Sequence, residues 1–466
     1  MRKIKKALAL SLALAMGLSL CACGDKEEDK TTESTTEATT EATTEGGSED
    51  TPSTEEGGEE SGVPFDVEKA GSGETIYVYS WNDELGKRID SHFKTRYPDL
   101  ADKVVYRNLN VSGTESEYPA KIQNAAETGD EYPSVFAADE SVMKSYAAKD
   151  FTAPMSEAGI TLDMYSNAYQ YTIDFATIDG QLMATTWQAT PGILCYNKAM
   201  AEEVLGTSDP AEVQEMVKDW DAFFATADKI KEAGYFMLSG ADELKYPYLA
   251  NKENPWVVDG KLVISDSTKE MLEMSKKAWD GGYTTGATQW STEWTANMSN
   301  GKVFCFFGTT WFMSDTVFVT EDVKYQTCAG PMGYYWGGSY LLYGKDCPNP
   351  ELAGLLIYTL TCDTDAMYDI ISKDADFCNN QEAVAKAIEN GDGALDKLDG
   401  QNPYEAFDAG AKMIDMSKST AYDSQINNSL STVSGSYNNG EYANVDEAIA
   451  ALKADVAATI TDITVE

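Results

Sequence analysis

From Thr75 onward, short β-branched and aromatic runs alternate with stretches of helical period, and this alternation restricts the fold more than any other feature of the chain. Thr75-Ile76-Tyr77-Val78-Tyr79-Ser80 has the composition of a strand, and residues 85–100 (LGKRIDSHFKTRYPDL) follow with helical spacing. Residues 104–106 predict a second strand, 119–128 a helix, 134–138 a third strand and 141–149 a helix. Strands separated by helices pair in parallel through βαβ units, so the expected class is α/β. Ligands of such sheets bind where the carboxyl ends of the strands meet the next loops. Trp81, Asn82, Asp83 and Glu84 leave the first strand, and Asp139 and Glu140 leave the third.

Further along, residues 185–192 (TTWQATPG) lead into a strand at 193–198, and Asp219-Trp220-Asp221 caps a long helix. Residues 302–307 (KVFCFF) predict a strand that leaves through Gly308-Thr309-Thr310-Trp311. An aromatic-glycine turn follows at 330–338 (GPMGYYWGG), and from Asn380 the chain is mainly helical, closing on a helix at 445–460. The stretch from Glu74 to Glu466 is too long for one small domain and suits two.

The start of the chain is of another kind. Arg2, Lys3, Lys5 and Lys6 precede the apolar run ALALSLALAMGLSL, about the length of a signal h-region and short of the roughly 20 apolar residues a spanning helix needs. In Cys21-Ala22-Cys23-Gly24 the small Ala22 precedes Cys23, the arrangement that lipoprotein processing reads. Residues 1–23 are therefore expected to be a lipoprotein signal with a lipidated Cys23; an ordinary cleaved signal is the alternative. A diacyl chain would hold the protein at the extracellular face of the cell membrane by apolar burial, about 0.8 kcal/mol per CH₂. Residues 24–73 are Thr, Glu, Ser and Gly with almost no large apolar side chains, which predicts a disordered, self-repelling tether. Roughly 50 residues at about 3.3 Å each would reach on the order of 160 Å.

Charge and motifs narrow the function classes. With 35 basic and 77 acidic residues the formal net charge is -42, which repels nucleic acid and anionic lipid, so the membrane is met only through the lipid anchor. The single His, His92, lies in a helical stretch and has no metal or catalytic pattern around it. No nucleophile elbow, H-E-x-x-H or EF-hand loop occurs, and no catalytic metal or cofactor is expected; the many acids leave a structural calcium open. Cys195, Cys305, Cys328, Cys347, Cys362 and Cys378 form no C-x-x-C; Cys195 and Cys305 sit in apolar strand-like runs where buried free thiols are expected, while free and bridged states stay open for the last three.

The order of several segments resembles the extracellular solute-binding proteins of carbohydrate ABC importers, the maltose-binding-protein-like family. The segments are YSWNDELGKRIDSHFKTRYPDL (79–100), PSVFAAD (133–139), Tyr196-Asn197-Lys198, DWDAFFATADKIK (219–231), Asn300-Gly301-Lys302 with Gly308 to Trp311, and Gly337-Gly338-Ser339 with residues 348–358. None is specific alone; their order is. The resemblance implies a two-lobe, periplasmic-binding-protein-like clamp of type II with three hinge crossings, near 188–192, 328–333 and 374–380. Residues 74–189 and 330–376 would form lobe one, and 190–329 and 377–466 lobe two. It also implies a monomer that binds sugar between the lobes and presents the closed form to the membrane permease subunits of an ABC importer. Thr190 stands where maltose-binding members carry an acid, which argues against a strictly maltose-like contact set.

A sugar offers weakly apolar C–H faces, which stack on aromatic rings, and hydroxyls that need paired donors and acceptors. With 9 Trp and 26 Tyr the chain has rings for an oligosaccharide. Trp311, Tyr335, Trp336, Trp81, Trp187 and Tyr246 are the expected platforms and ring contacts, with Asn82, Asp83, Glu84, Asp139, Gln188 and Thr190 as polar contacts. Trp220, Trp256, Trp279 and Trp294 are read as packing, and Trp290 stays open. The chain is read as a binding protein and not an enzyme; the alternatives are a cell-surface glycan-processing enzyme, since paired carboxylates are plentiful, and a binder of a non-sugar solute.

Overall fold

The computed structural model describes residues 62–114, 117–314 and 316–466. The expected signal, Cys23 and most of the expected tether lie outside these residues. The strands that position the cleft are, in chain order, β1 (Ile76–Ser80), β2 (Val104–Asn108), β3 (Pro133–Asp139), β4 (Thr152–Ala153), β5 (Ala184–Thr186), β6 (Pro191–Asn197), β7 (Cys305–Thr309), β8 (Tyr325–Cys328), β9 (Tyr334–Tyr335) and β10 (Ser339–Gly344).

The first sheet runs β2-β1-β3-β10-β4, with β5 also paired to β10. β1 lies parallel to β2 and β3, as the alternation of strand and helix predicts. β10 returns antiparallel to β3, setting Ser339 opposite Asp139, and β5 is antiparallel to β10. Every residue of β10 is buried, and β3 is buried up to its last residue, Asp139, because helices cover both faces. The second sheet is antiparallel. Its central strand β6 is antiparallel to β7 on one side and to β8 and β9 on the other. β8 and β9 lie end to end along one edge of β6, interrupted at residues 329–333. There Gly330 has a φ of +82°, and a Cβ on Gly333 would sit 2.1 Å from the Gly410 carbonyl oxygen.

The helix Asp266–Asp280 packs with Asp423–Asn438 and Val445–Thr459. Leu272, Ile426, Leu430, Leu452 and Val456 fill that seam and are buried. Trp256 and Trp294 are buried, and Trp220 and Trp279 pack against the main core, as read from the sequence. All six thiols from Cys195 to Cys378 are buried and unbridged.

The chain passes between the sheets three times. The first passage, between β5 and β6, and the third, around Cys378, are zipped together: Asn379 N donates to Trp187 O (2.8 Å), Ala189 N donates to Phe377 O (3.3 Å), and Gln188 and Cys378 form a bridge. The second passage lies further on than expected. Tyr334 and Tyr335 pair with Gly192 and Pro191 of β6, so the chain leaves the second sheet only over residues 336–338, not at 328–333. The aromatic pair continues the strand edge, and the two glycines after it provide the turn.

The expected tether also ends sooner. Val67–Ser72 is a helix capped by the Asp66 side chain, which accepts from Lys69 N. Phe65 is buried beside Tyr358 (ring centroids 5.8 Å). Phe65, Val67 and Ala70 are apolar side chains of the kind that the Thr/Glu repeats of the sequence do not contain in number.

Candidate functional site

Between the sheets, against the three crossings, lies a cavity of about 540 Å³, the size of a small-ligand site. Its first wall comes from strand ends of the first sheet. Glu84 opens the helix after β1, and Asp139 ends β3 with Glu140, Ser141 and Lys144 on the helix that follows. Asp139 Oδ1 accepts from Ser141 N (3.0 Å) and Ser141 Oγ (2.5 Å), a side-chain cap that fixes this helix start.

The opposite wall is aromatic. Tyr246 stacks on Trp336 (centroids 3.9 Å, planes 25° apart), and Trp336 meets Trp311 edge to face (4.8 Å, 75°). Trp311 Nε1 donates to Trp336 O (3.1 Å), so each indole holds the other in place. The turn that presents Trp336 needs glycine: Gly338 has a φ of +107°, and a Cβ there would sit 3.0 Å from Thr190 Oγ1.

A third side is one helix, Asp423–Asn438. Ser424, Asn427, Asn428 and Ser431 recur at helical spacing and face the cavity, while Ile426, Leu430, Val433 and Tyr437 on its other face are buried. Asp423 at its start pairs with Lys252, whose side chain is only 2% exposed.

Gln188 sits at the back of the cavity and joins three segments. Its Nε2 donates to Glu84 Oε1 (2.6 Å) and Asp376 Oδ2 (3.2 Å), and its Oε1 accepts from Ser339 N (3.1 Å). Arg88 pairs with Asp376 (2.9 Å) and with Asp374, which also holds His92 Nε2 at 2.5 Å. His92 is thus a buried helix residue that pairs with Asp374, its pKa lowered by burial against the pull of that carboxylate.

Burial, and then the neighbouring Asp376 carboxylate, raises the Glu84 carboxyl well above the usual carboxylate range. Burial, followed by Asp139 and Asp423, pushes Glu140 up to about 8. The ammonium groups of Lys144 and Lys245 are lowered by burial. The cavity can therefore present protonated carboxyls as hydrogen-bond donors beside amide and hydroxyl groups, the repertoire that polyhydroxylated ligands need.

Of the residues singled out from sequence, Glu84, Asp139, Gln188, Tyr246, Trp311, Tyr335 and Trp336 line this one cavity. The others do not. The Trp81 ring packs edge-on against Tyr118 (5.5 Å). Asn82 and Asp83 are exposed, Asn82 Oδ1 accepting from Glu84 N (2.9 Å) and Asp83 Oδ1 from Asn108 Nδ2 (2.6 Å). Trp187 is buried in the core, its Nε1 without a partner. Thr190 is buried at a φ of +42°, and its hydroxyl donates to Gly337 O (2.9 Å), which ties two crossings together.

Residues 106–392 match the model of the bacterial extracellular solute-binding protein family. The chain belongs to that family. None of the curated protein sequences compared matches this solute-binding protein. Among solved structures, an extracellular solute-binding protein of family 1 superposes with a TM-score of 0.71 at 16% identity, over 83% of this chain and 99% of that one. The cyclic α-maltosyl-1,6-maltose binding protein of Arthrobacter globiformis gives 0.63 at 16% identity, over 83% and 98%. The galacto-N-biose/lacto-N-biose I-binding protein of the ABC transporter from Bifidobacterium longum, in complex with lacto-N-biose, gives 0.62 at 15% identity, over 84% and 98%. These likenesses show the fold, a two-lobe solute-binding clamp. Among the described residues of this solute-binding protein, no helix is long and apolar enough to cross a membrane.

Sequence reasoning did not select Lys144, Lys245, Asp423, Asn427 or Asn428 for the cavity of the solute-binding protein. The spacing of Ser424, Asn427, Asn428 and Ser431 carries a usable signal: a polar stripe on a helix whose other face is apolar. The lysines carry none, because nothing local distinguishes a cavity lysine from a solvated one.

Proposed function

We propose that the protein captures an oligosaccharide in the interlobe cleft and delivers it to the permease subunits of an ABC importer. It would work as a monomer at the extracellular face of the cell membrane, held there by a lipid on Cys23. The observation that carries the reading is the ring cluster Tyr246–Trp336–Trp311 facing a wall of amide, hydroxyl and carboxyl groups in one cavity. Flat rings take the C–H faces of a sugar, and the polar wall pairs its hydroxyls. Fold neighbours that bind cyclic α-maltosyl-1,6-maltose and lacto-N-biose support the same class of ligand. A family of binding proteins and the absence of a catalytic motif in the sequence favour binding without turnover.

The test is calorimetry of the folded domain against a panel of oligosaccharides, with a peptide mixture and polyamines as comparison. A glycan should bind at micromolar or tighter affinity, about -8 kcal/mol. Trp311→Ala should weaken it at least tenfold, about 1.4 kcal/mol. Binding of amines or peptides with every glycan ignored would exclude the sugar; cleaved products on chromatography would make the protein an enzyme. In cells, Cys23→Ser should move the protein from the membrane fraction to the medium; retention at the membrane would exclude the anchor.

A further inference from the structure

The aromatic wall does not stop at the cavity. Trp290 lies beyond the cavity lining, yet its ring stacks on Trp311 (centroids 5.9 Å, planes 20° apart) and meets Trp336 edge to face (5.8 Å, 62°). Tyr246, Trp336, Trp311 and Trp290 thus form one contiguous aromatic surface, with Trp290 at its outer end. Its side of the surface is open: Trp290 is 51% exposed, an unusual state for the largest apolar side chain.

The backbone beneath it is built against preference. Ser291 N donates to Thr288 O (3.0 Å), closing a four-residue turn in which Trp290 holds the third position at a φ of +70°. That position favours glycine, because a Cβ is sterically penalised at positive φ. A bulky residue persists there only where its surroundings hold it. Here they do. Gln289 N donates to Asp242 Oδ2 (2.9 Å), and Gln289 Oε1 accepts from the Tyr246 hydroxyl (2.8 Å). The Ser291 side chain then caps the next helix by accepting from Trp294 N (3.1 Å). The turn is pinned to Tyr246, itself part of the cavity wall, so Trp290 is held in register with the inner rings.

We propose that Trp290 is an outer stacking platform for a sugar ring lying beyond the cavity, and that it makes the protein select glycans long enough to reach it. The inference rests on the sugar reading of the cleft. The inner rings and polar wall hold the first units, and Trp290 adds a face for a later unit without adding hydroxyl contacts there. Its contribution therefore depends on chain length and tolerates variation in the outer sugar.

The experiment compares parent, Trp290→Gly and Trp290→Phe proteins by calorimetry against malto-, isomalto-, galacto- and xylo-oligosaccharides of two to six units. Glycine suits the turn, so the first variant keeps the fold, which circular dichroism checks. In the parent, affinity should climb with length within the series that binds. Trp290→Gly should lose about tenfold for the longest chains and stay within twofold for the shortest binder, and Trp290→Phe should recover most of the loss. Equal weakening of short and long chains would show that Trp290 only props Trp311, and no weakening at any length would show an idle surface residue; either result overturns the proposal while leaving the sugar reading standing. If the parent binds no member of any series, the sugar reading fails and this inference falls with it.

Discussion

Glu140 shows how one cavity residue couples ligand chemistry to pH. Its backbone N–H donates to Gly338 O (3.0 Å), which ties the helix start to the second crossing, and its carboxyl is pushed up to about 8 by burial, Asp139 and Asp423. Lys252 and Lys144 oppose that shift without cancelling it. A raised carboxyl binds a proton more tightly in the folded form than in the unfolded chain, so folding stability falls as pH rises. The loss begins above the ordinary carboxyl value near 4.5 and is complete at about 8. Melting temperatures across that interval should fall in the parent and fall less in Glu140→Gln, which keeps the shape without the charge. Parallel curves for the two proteins would remove Glu140 as the source. The same neighbourhood shows where sequence reasoning reaches and where it stops. Asp139, Glu84 and Gln188 were legible because strand ends and crossings must meet the cleft. Trp187 and Thr190 share the Gln188 crossing but point into the packed hinge, and side-chain direction in an irregular segment has no sequence period to reveal it.

At the scale of elements, the helix Asp423–Asn438 serves both as cavity wall and as core. Asp423 accepts from Thr420 N (2.9 Å) and Thr420 Oγ1 (2.7 Å) and pairs with the nearly buried Lys252, so one carboxylate fixes the helix start and neutralises an ammonium. Removing one partner of such a pair leaves the other charge buried and uncompensated. Asp423→Ala should therefore destabilise the protein by about 3–5 kcal/mol. Asp423→Leu combined with Lys252→Met should recover much of that loss, since replacing both partners with apolar groups is often near neutral. Denaturant melts of the single and double variants decide it; a double variant no more stable than Asp423→Ala would mean that the Thr420 contacts, and not the pair, carry the effect. The strands were largely legible because their β-branched and aromatic runs are short and bounded. The direction of the second sheet was not legible. Its strands are separated by long insertions, and the order of elements along the chain does not state which way a distant strand returns.

At the scale of the whole molecule, the question is how a ligand between two lobes is felt by both. The second and third crossings are each bonded to the first, and Gln188 adds a side-chain link from the first crossing to Glu84, Asp376 and Ser339. A ligand shifts an open–closed equilibrium only by contacts that one form has and the other lacks. Rings on the second lobe and polar groups on the first meet those terms, because a sugar touching both is fully contacted only when they approach. Scattering of the parent should show a smaller radius of gyration with a bound glycan than without. Gln188→Leu keeps the bulk and removes the link. It leaves the Ser339 N–H and the Glu84 carboxyl without their shared partner, at about 1–3 kcal/mol for each orphaned buried group. If the link is part of the closed form, this variant should bind the glycan at least fivefold more weakly and contract less, although no ring of the wall has changed. If Gln188 only supports the fold, the melt shifts while affinity and contraction match the parent, and the hinge would then have to act through its backbone bonds alone.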